Sequence, residues 1–166
     1  GRSDVPVIMG AEKPFASNAV YAGHIHGDNG LGGVTIPSSD KKAIVSDRFG
    51  EIYRRIMAAE GKVCFVNTGS LTNLAILLSS HPDLKDKLQE ISIMGGAIGE
   101  GNITPAAEFN IFFDPIAAKE TLSYGIPYTI VPLEVTHTVL VNDDIMDQVR
   151  EYKSEIGKTL VNLMDI

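Results

Sequence analysis

Only one cysteine, Cys64, occurs among the 166 residues, which excludes an internal disulfide framework. Cys64 lies in the apolar run from Lys62 to Val66 and is expected as a buried core thiol rather than a reactive one. Positive charge is also scarce: 14 Lys and Arg stand against 21 Asp and Glu, a formal net charge of −7. That balance argues against nucleic acid or an anionic membrane surface as the main partner. No apolar run is long enough to cross a bilayer and no secretory signal is recognisable, so a cytoplasmic location is the expectation. Asn102-Ile103-Thr104 therefore reads as an accidental glycosylation sequon.

Nucleotide fingerprints are missing too. The glycines at 27, 30, 32 and 33 do not follow a strand with dinucleotide-binding spacing, and no glycine-rich loop ends in Lys-Ser or Lys-Thr, which argues against a phosphate-binding loop. No His and Cys share zinc-ligand spacing. His24 and His26 alternate, a pattern that is more often structural or solvent-facing than metal-binding. There is no internal repeat and no low-complexity segment.

What is present is ordinary globular composition, 44% hydrophobic and 21% charged, at a length that fits one α/β domain with a real core. Val5 to Met9 reads as a short strand. Phe49, Ile52, Ile56 and Ala59 recur at helical spacing over 48–60, and Gly61 stops the pattern. Val63 to Val66, Ile91 to Met94 and Tyr128 to Leu133 read as further strands. Between them, Leu71 to Leu78 reads as a buried helix and Leu84 to Leu88 as a short helical piece. Asp114-Pro115 is a helix start, with Asp as N-cap and Pro at the first helical position, and the helix is expected to run to about Tyr124. Asn142 or Asp143 caps a helix over about 145–153. Strands alternating with helices predict a parallel sheet, and strands apolar throughout predict cover on both faces. The chain opens almost at once into the first strand and closes inside an amphipathic pattern at 159–166, so it is expected to be the middle portion of a longer protein.

Loops after the strand C-terminal ends should converge on one edge, where α/β proteins place ligands. The richest of them runs from Met94 to Asn110. It holds too many glycines, amides and carboxylates for a core segment. In an extended backbone Glu108 and Asn110 point to the same side. Carboxylate and carboxamide together accept and donate hydrogen bonds, which suits a neutral polyol such as a sugar. The plainer alternative is that Glu108 pairs with a lysine or caps a helix. Asn67 to Asn73 is a strand-to-helix turn. Ser70 or Thr72 is available as a cap, and a strand-end carbonyl is available to a hard cation. His26 sits at the head of the Gly27–Gly33 loop, either as part of a tight turn or as a proton donor at an active-site lip. Glu134 and His137 follow the last strand without an evident partner.

Taken together, these segments resemble the inosine–uridine preferring nucleoside hydrolase family. The matching pieces are Val5-Pro6-Val7 with Gly10 to Pro14, Ile25-His26-Gly27 with Gly30-Leu31, Thr68 to Asn73, Met94-Gly95-Gly96, Ala107 to Ile111 with Asp114-Pro115, and Pro132-Leu133 with Val135-Thr136-His137. They occur in consistent order over nearly the whole chain. The resemblance implies a parallel-sheet, Rossmann-like fold, present here in part. It also implies hydrolysis of the N-glycosidic bond of a ribonucleoside to ribose and free base, in nucleoside catabolism and salvage. One calcium ion would bind the ribose hydroxyls and the attacking water, with the Thr68 carbonyl among its ligands. Asn102 and Glu108 would hold the ribose near its 5′-hydroxyl, Asn110 would hold the 2′-hydroxyl side, and Met94 would line the pocket. His26 would stand on the leaving-base side. A nucleoside would be the partner, and the complete enzyme would form a dimer or tetramer.

Departures from the family pattern qualify this. The family's Asp-x-Asp-x-x-x-Asp-Asp cluster and its later His-Asp pair are absent, and Glu134 stands where Asp or Asn is common. Calcium takes about six to eight oxygens, so this chain by itself is expected neither to retain the ion nor to be active. The alternative is a ribose- or nucleoside-binding module without catalysis.

Overall fold

A computed structural model describes residues 4–15, 23–36 and 38–164, with the side chains of 24 and 25 excepted. In chain order the elements are α1 (Gly23–His26), α2 (Arg48–Ala58), β1 (Val63–Asn67), α3 (Thr72–Ser80), α4 (Leu84–Lys87), β2 (Leu88–Met94) and α5 (Phe109–Phe113). They continue with α6 (Pro115–Leu122), β3 (Tyr128–Val131), α7 (Leu133–Thr136), α8 (Asp143–Glu151) and α9 (Glu155–Met164). These fall into two compact units, Gly1–Ala19 with Lys41–His137 and Val20–Asp40 with Thr138–Ile166.

The first unit is built on a parallel sheet in the order β1-β2-β3, the α/β arrangement expected. Phe65 registers with Ile91 and Asn67 with Ile93, so these side chains share one face. Helices cover that face. All of Leu74, Ala75, Leu77 and Leu78 of α3 are at most 1% exposed, which is why α3 is apolar around most of its circumference. Helix α2 presents only a stripe, Phe49, Ile52, Tyr53 and Ile56, to the same core. Ala117 and Ala118 of α6 complete it; small side chains there let α6 pack closely on α3.

The opposite face is not covered as expected. Cys64 is exposed and Val66 is 68% exposed, while Ser92 and Met94 are half-buried. The apolar residues at both parities of β1 are compatible with two-sided cover, but helices of this unit meet only one parity. Cys64 is thus a surface thiol and not the core residue its apolar neighbours suggested. It should react completely with a thiol reagent such as Ellman's in the folded chain, as fast as an unhindered thiol. Labelling that waits for denaturant would contradict its exposure.

Val5 to Met9 does not form the expected strand. It makes a single isolated parallel bridge, Ile8 to Ile44, with Ile44 N donating to Val7 O at 2.9 Å and Met9 N to Ile44 O at 3.0 Å. Beyond Met9 the backbone is fastened from outside. Arg48 donates to Gly10 O at 2.8 Å, Ala11 N donates to Asn73 Oδ1 at 2.7 Å, and Phe15 N donates to Asp114 Oδ2 at 3.0 Å.

In the second unit the Gly27–Gly33 loop is a tight turn. Gly27, Gly30, Gly32 and Gly33 all take positive φ, and Asn29 Oδ1 accepts from Leu31 N and Gly33 N, each at 3.0 Å. Asn142 caps α8, accepting from Ile145 N at 3.0 Å. Residues 159–164 of the pattern read at 159–166 belong to α9, which starts earlier, behind Ser154; 165 and 166 lie outside the described residues. Among the described residues no helix is long and apolar enough to cross a membrane.

Candidate functional site

Strand β2 ends at Met94, and the chain then makes two compact features before α5. The first is the Gly95–Gly99 turn. Gly95 N donates to Val131 O at 3.2 Å and Leu133 N to Gly96 O at 3.1 Å, so the β2–β3 pairing continues past the strand ends. Gly96 has φ 77°, a left-handed conformation that favours glycine. The second feature winds around Ala107. Its carbonyl accepts from Asn102 N at 3.0 Å and Ile103 N at 3.2 Å, while Thr104 Oγ1 accepts from Ala107 N at 3.0 Å. Gly101 is pressed against this knot. A Cβ there would overlap the backbone N and O of Ala107 and the Thr104 carbonyl. Gly101→Ala is therefore expected to cost about 3 kcal/mol, the upper end for overpacking, because backbone rather than a side chain must yield. A thermal melt within the error of the parent would show that the knot is not rigid.

Glu108 is 2% exposed and joins the two features. Its Oε2 accepts from Gly96 N at 2.9 Å and Ile111 N at 3.3 Å, and its Oε1 accepts from Asn110 N at 2.8 Å. It is the N-cap of α5, as one of the sequence readings allowed. The extended backbone expected across 108–111 stops at Glu108 (φ −86°, ψ 146°), and Phe109 onward is helical. Strand alternation therefore does not set the relation of Glu108 to Asn110; the cap does. Phe109-Asn110-Ile111 carries no helical spacing long enough to be read, since the helix spans five residues.

Asn110 donates from Nδ2 to Met94 O and to Met94 Sδ, both at 3.1 Å. Asn102 accepts at Oδ1 from Phe109 N at 2.8 Å. Met94, Asn110 and Glu108 are thus joined by one hydrogen-bonded network, and Asn102 braces the adjoining backbone through Phe109 N. What remains for a ligand follows from valence. Asn102 keeps its Nδ2 donors and Asn110 its Oδ1 acceptor. Glu108 has three of about four lone-pair sites occupied. A buried, triply bonded carboxylate with two half-engaged amides is a preorganised patch for hydroxyl groups, with negative charge fixed in place.

Thr68 follows Asn67, which registers with Ile93, so Thr68 lies at the Met94 end of the sheet. Its neighbours are not capped as expected. Thr72 Oγ1 donates to Asp114 Oδ2 at 2.6 Å; Thr72 is the first residue of α3 and Leu71 stands at the N-cap, so no side chain caps the helix, and Ser70 Oγ lies 3.3 Å from Thr72 Oγ1. Asp114 does cap α6, accepting from Ala117 N at 3.0 Å, with Pro115 at the first position. His26 is exposed and belongs to the second unit, whereas Glu108 belongs to the first. The side chain of His24 lies outside the described residues. His137 closes the short α7, its N–H donating to Leu133 O at 2.8 Å.

Among the described residues no three His, Cys, Asp or Glu side chains come together to hold a metal. The Thr68 carbonyl is a single candidate oxygen, far short of a calcium shell. These residues alone do not fit the ion.

Glu134 has a partner that sequence reading missed. Its carboxylate accepts from Gly99 N at 2.8 Å and Ile98 N at 3.1 Å. The available signal was a carboxylate just past a strand end beside a glycine-rich loop whose N–H groups need acceptors.

The whole of residues 1–166 matches the family model described as inosine-uridine preferring nucleoside hydrolase. Two pyrimidine-specific ribonucleoside hydrolases RihA are similar. That of Shewanella woodyi is 41% identical over 99% of this chain and 53% of its own length, and that of Shewanella oneidensis is 42% identical over 99% and 52%. A solved purine-preferring ribonucleoside hydrolase from Gardnerella vaginalis superposes with TM-score 0.89 at 33% identity, covering 98% of this chain and 53% of that one. A plant nucleoside hydrolase, PpNRh1, gives 0.86 at 31%, covering 98% and 52%. The chain thus spans about half the length of the curated relatives it matches. With its parallel sheet and strand-end loops, the chain belongs to the inosine–uridine preferring nucleoside hydrolase family.

Proposed function

We propose that this chain carries one wall of the ribose pocket of a ribonucleoside hydrolase, which cleaves the N-glycosidic bond of a nucleoside to ribose and free base. The observation that carries the reading is the network linking Met94, Asn110 and Glu108, with Asn102 bonded to the adjoining Phe109 N. Asn102 and Glu108 hold the ribose near its 5′-hydroxyl, Asn110 holds the 2′-hydroxyl side, and Met94 lines the pocket. The family resemblance alone assigns His26 to the leaving-base side. In the reaction a water oxygen bonds to the anomeric carbon, the carbon–nitrogen bond breaks, and the base leaves with a proton. Positive charge builds on the sugar ring in such a transition state. The fixed carboxylate of Glu108 stabilises that charge without having to reorganise.

Calcium belongs to the proposal only for the complete enzyme, with the Thr68 carbonyl as one ligand; its other oxygens come from outside the described residues. The same family reading supplies a cytoplasmic homo-oligomer with no nucleic-acid or membrane partner. Uridine is favoured over inosine, since the relatives at 41–42% identity are named as pyrimidine-specific.

By itself this chain is inactive, because the described residues hold no acidic cluster to bind a metal or take a proton from water. Incubation with uridine or inosine plus calcium, followed by chromatography for free base, should show no release above background. Release above background would sink the inactivity claim. A second reading, a ribose- or nucleoside-binding module without catalysis, is favoured by the same hydroxyl-binding patch without an acidic cluster. Calorimetry separates the two: tight binding of uridine or ribose supports the module, and no binding supports the incomplete enzyme.

A further inference from the structure

The Gly95–Gly99 turn has almost nothing of its own to hold it. Ala97 is half-buried, Ile98 is 85% exposed, and Gly99 and Glu100 are exposed, so no buried side chain anchors its tip. A glycine-rich turn without apolar anchors has much conformational freedom to lose. Its order must come from its backbone hydrogen bonds. On the inner side these are Gly96 N to Glu108 and Leu133 N to Gly96 O. On the outer side, Glu134 Oε1 accepts from both Ile98 N and Gly99 N, and Oε2 lies 3.1 Å from Ile98 N.

We propose that Glu134 is a positioning residue for the hydroxyl-binding wall: its carboxylate pins the tip of the Gly95–Gly99 turn and so helps to set where Met94, just before the turn, and Asn102, three residues beyond it, stand. The functional part rests on the reading of 94–110 as a ribose wall; the latch itself does not. Glu134 is suited to the task because its own backbone is fixed. Leu133 is buried, and Thr136 N and Val135 N both donate to Pro132 O, which holds α7 at the end of β3. The two carboxylates divide the work. Buried Glu108 fixes the root of the turn, and exposed Glu134 fixes its tip. With Oε1 taken by both Ile98 N and Gly99 N, Glu134 acts on a ligand through the turn.

The charge matters as well as the shape. The Gly99 amide foremost, then Glu134's own N–H and the Ile98 amide, hold the carboxyl below its ordinary value of 4.5, with a smaller contribution from His137. His137 is the neighbouring titratable group that acts on it among the described residues. A depressed folded-state pKa means the latch is at full strength above the ordinary glutamate value. It is lost as pH falls through the folded-state value.

The test is amide NMR on this chain, comparing it with Glu134→Gln and Glu134→Asp. In the parent, the Ile98 and Gly99 amide shifts should titrate together, with a midpoint below that of an ordinary glutamate. In E134Q that titration should vanish, the two amides should exchange about tenfold faster or more, and the Asn102 side-chain amide and Met94 methyl signals should move. The melting temperature should change little, because the turn is exposed. E134D, one methylene shorter, should rescue the titration in part. Unmoved Asn102 and Met94 signals in E134Q, or Ile98 and Gly99 amides that ignore pH in the parent, would overturn the proposal. Titrating the parent with ribose and uridine tests the underlying reading separately. Ligand-induced shifts at Asn102, Asn110 and Met94 support the ribose wall; an intact latch without them leaves the latch standing and removes ribose binding by this chain alone.

Discussion

Asp114→Ala should lower the unfolding free energy by about 3–5 kcal/mol, a large part of the roughly 5–15 kcal/mol that holds a domain together. Asp114 is 1% exposed and serves three donors: Phe15 N at 3.0 Å, Thr72 Oγ1 at 2.6 Å and Ala117 N at 3.0 Å. Losing the cap on α6 costs about 1 kcal/mol. Orphaning the other two donors costs about 1–3 kcal/mol each, reduced where water can reach Phe15 N. The three donors lie in the 4–15 segment, at the start of α3 and at the start of α6, so one side chain ties together regions 99 and 42 residues away in sequence. Urea unfolding measures the effect. Limited proteolysis should also show the 10–15 segment cut first, with Asn73 and Arg48 still fastening it only at Gly10 and Ala11. A loss under about 1 kcal/mol would mean that the three donors find other acceptors and that Asp114 is not the hub described.

Glu108→Gln should cost about 2–3 kcal/mol although it changes shape hardly at all. Both oxygens of Glu108 accept from backbone N–H groups, Oε2 from Gly96 and Ile111 and Oε1 from Asn110. A carboxamide has one acceptor oxygen, so in either orientation its NH₂ faces at least one N–H it cannot serve. The turn at Gly96 or the first turn of α5 must then open. Hydrogen exchange at Gly96 and Ile111 reads which one does, and chemical denaturation reads the total. In a form of the protein that binds nucleoside, affinity should fall about tenfold or more, the equivalent of one good hydrogen bond. Unchanged stability together with unchanged Gly96 protection would reduce Glu108 from keystone to bystander.

Several features were legible in the chain before any coordinates. The order of strands and helices follows from period and punctuation. Asp114-Pro115 announces its helix because Asp accepts from the first-turn amides and Pro forfeits an N–H that has no partner there anyway. The asparagine at 142 does the same for α8. The glycine-rich stretch after β2 marks the site, because glycines and amides in that number have no business in a core. Other features needed contacts between distant residues. Cys64 sits among apolar residues and is nevertheless exposed, since local sequence reports that a face can be buried and not that a helix lies on it. Thr72 was free, in sequence, to cap α3; the fold starts the helix at Thr72 itself, and its hydroxyl donates to a carboxylate 42 residues away. The helix at 109–113 is too short for periodicity to reveal, and its cap, Glu108, was singled out for a different reason.

The loop from Met94 to Asn110 shows the division most clearly. Its sequence by itself established the α/β setting, the place after a strand end, and a set of side chains fit for hydroxyl groups. Those properties are local: residue type, spacing and backbone freedom determine them. Tertiary structure decided which atoms of those side chains are already committed and which face outward. It also decided that Glu134, 35 residues beyond Gly99, fastens the tip of the turn. Hydrogen-bond valence is shared across the whole fold, and a partner that arrives from another strand end leaves no periodicity behind it.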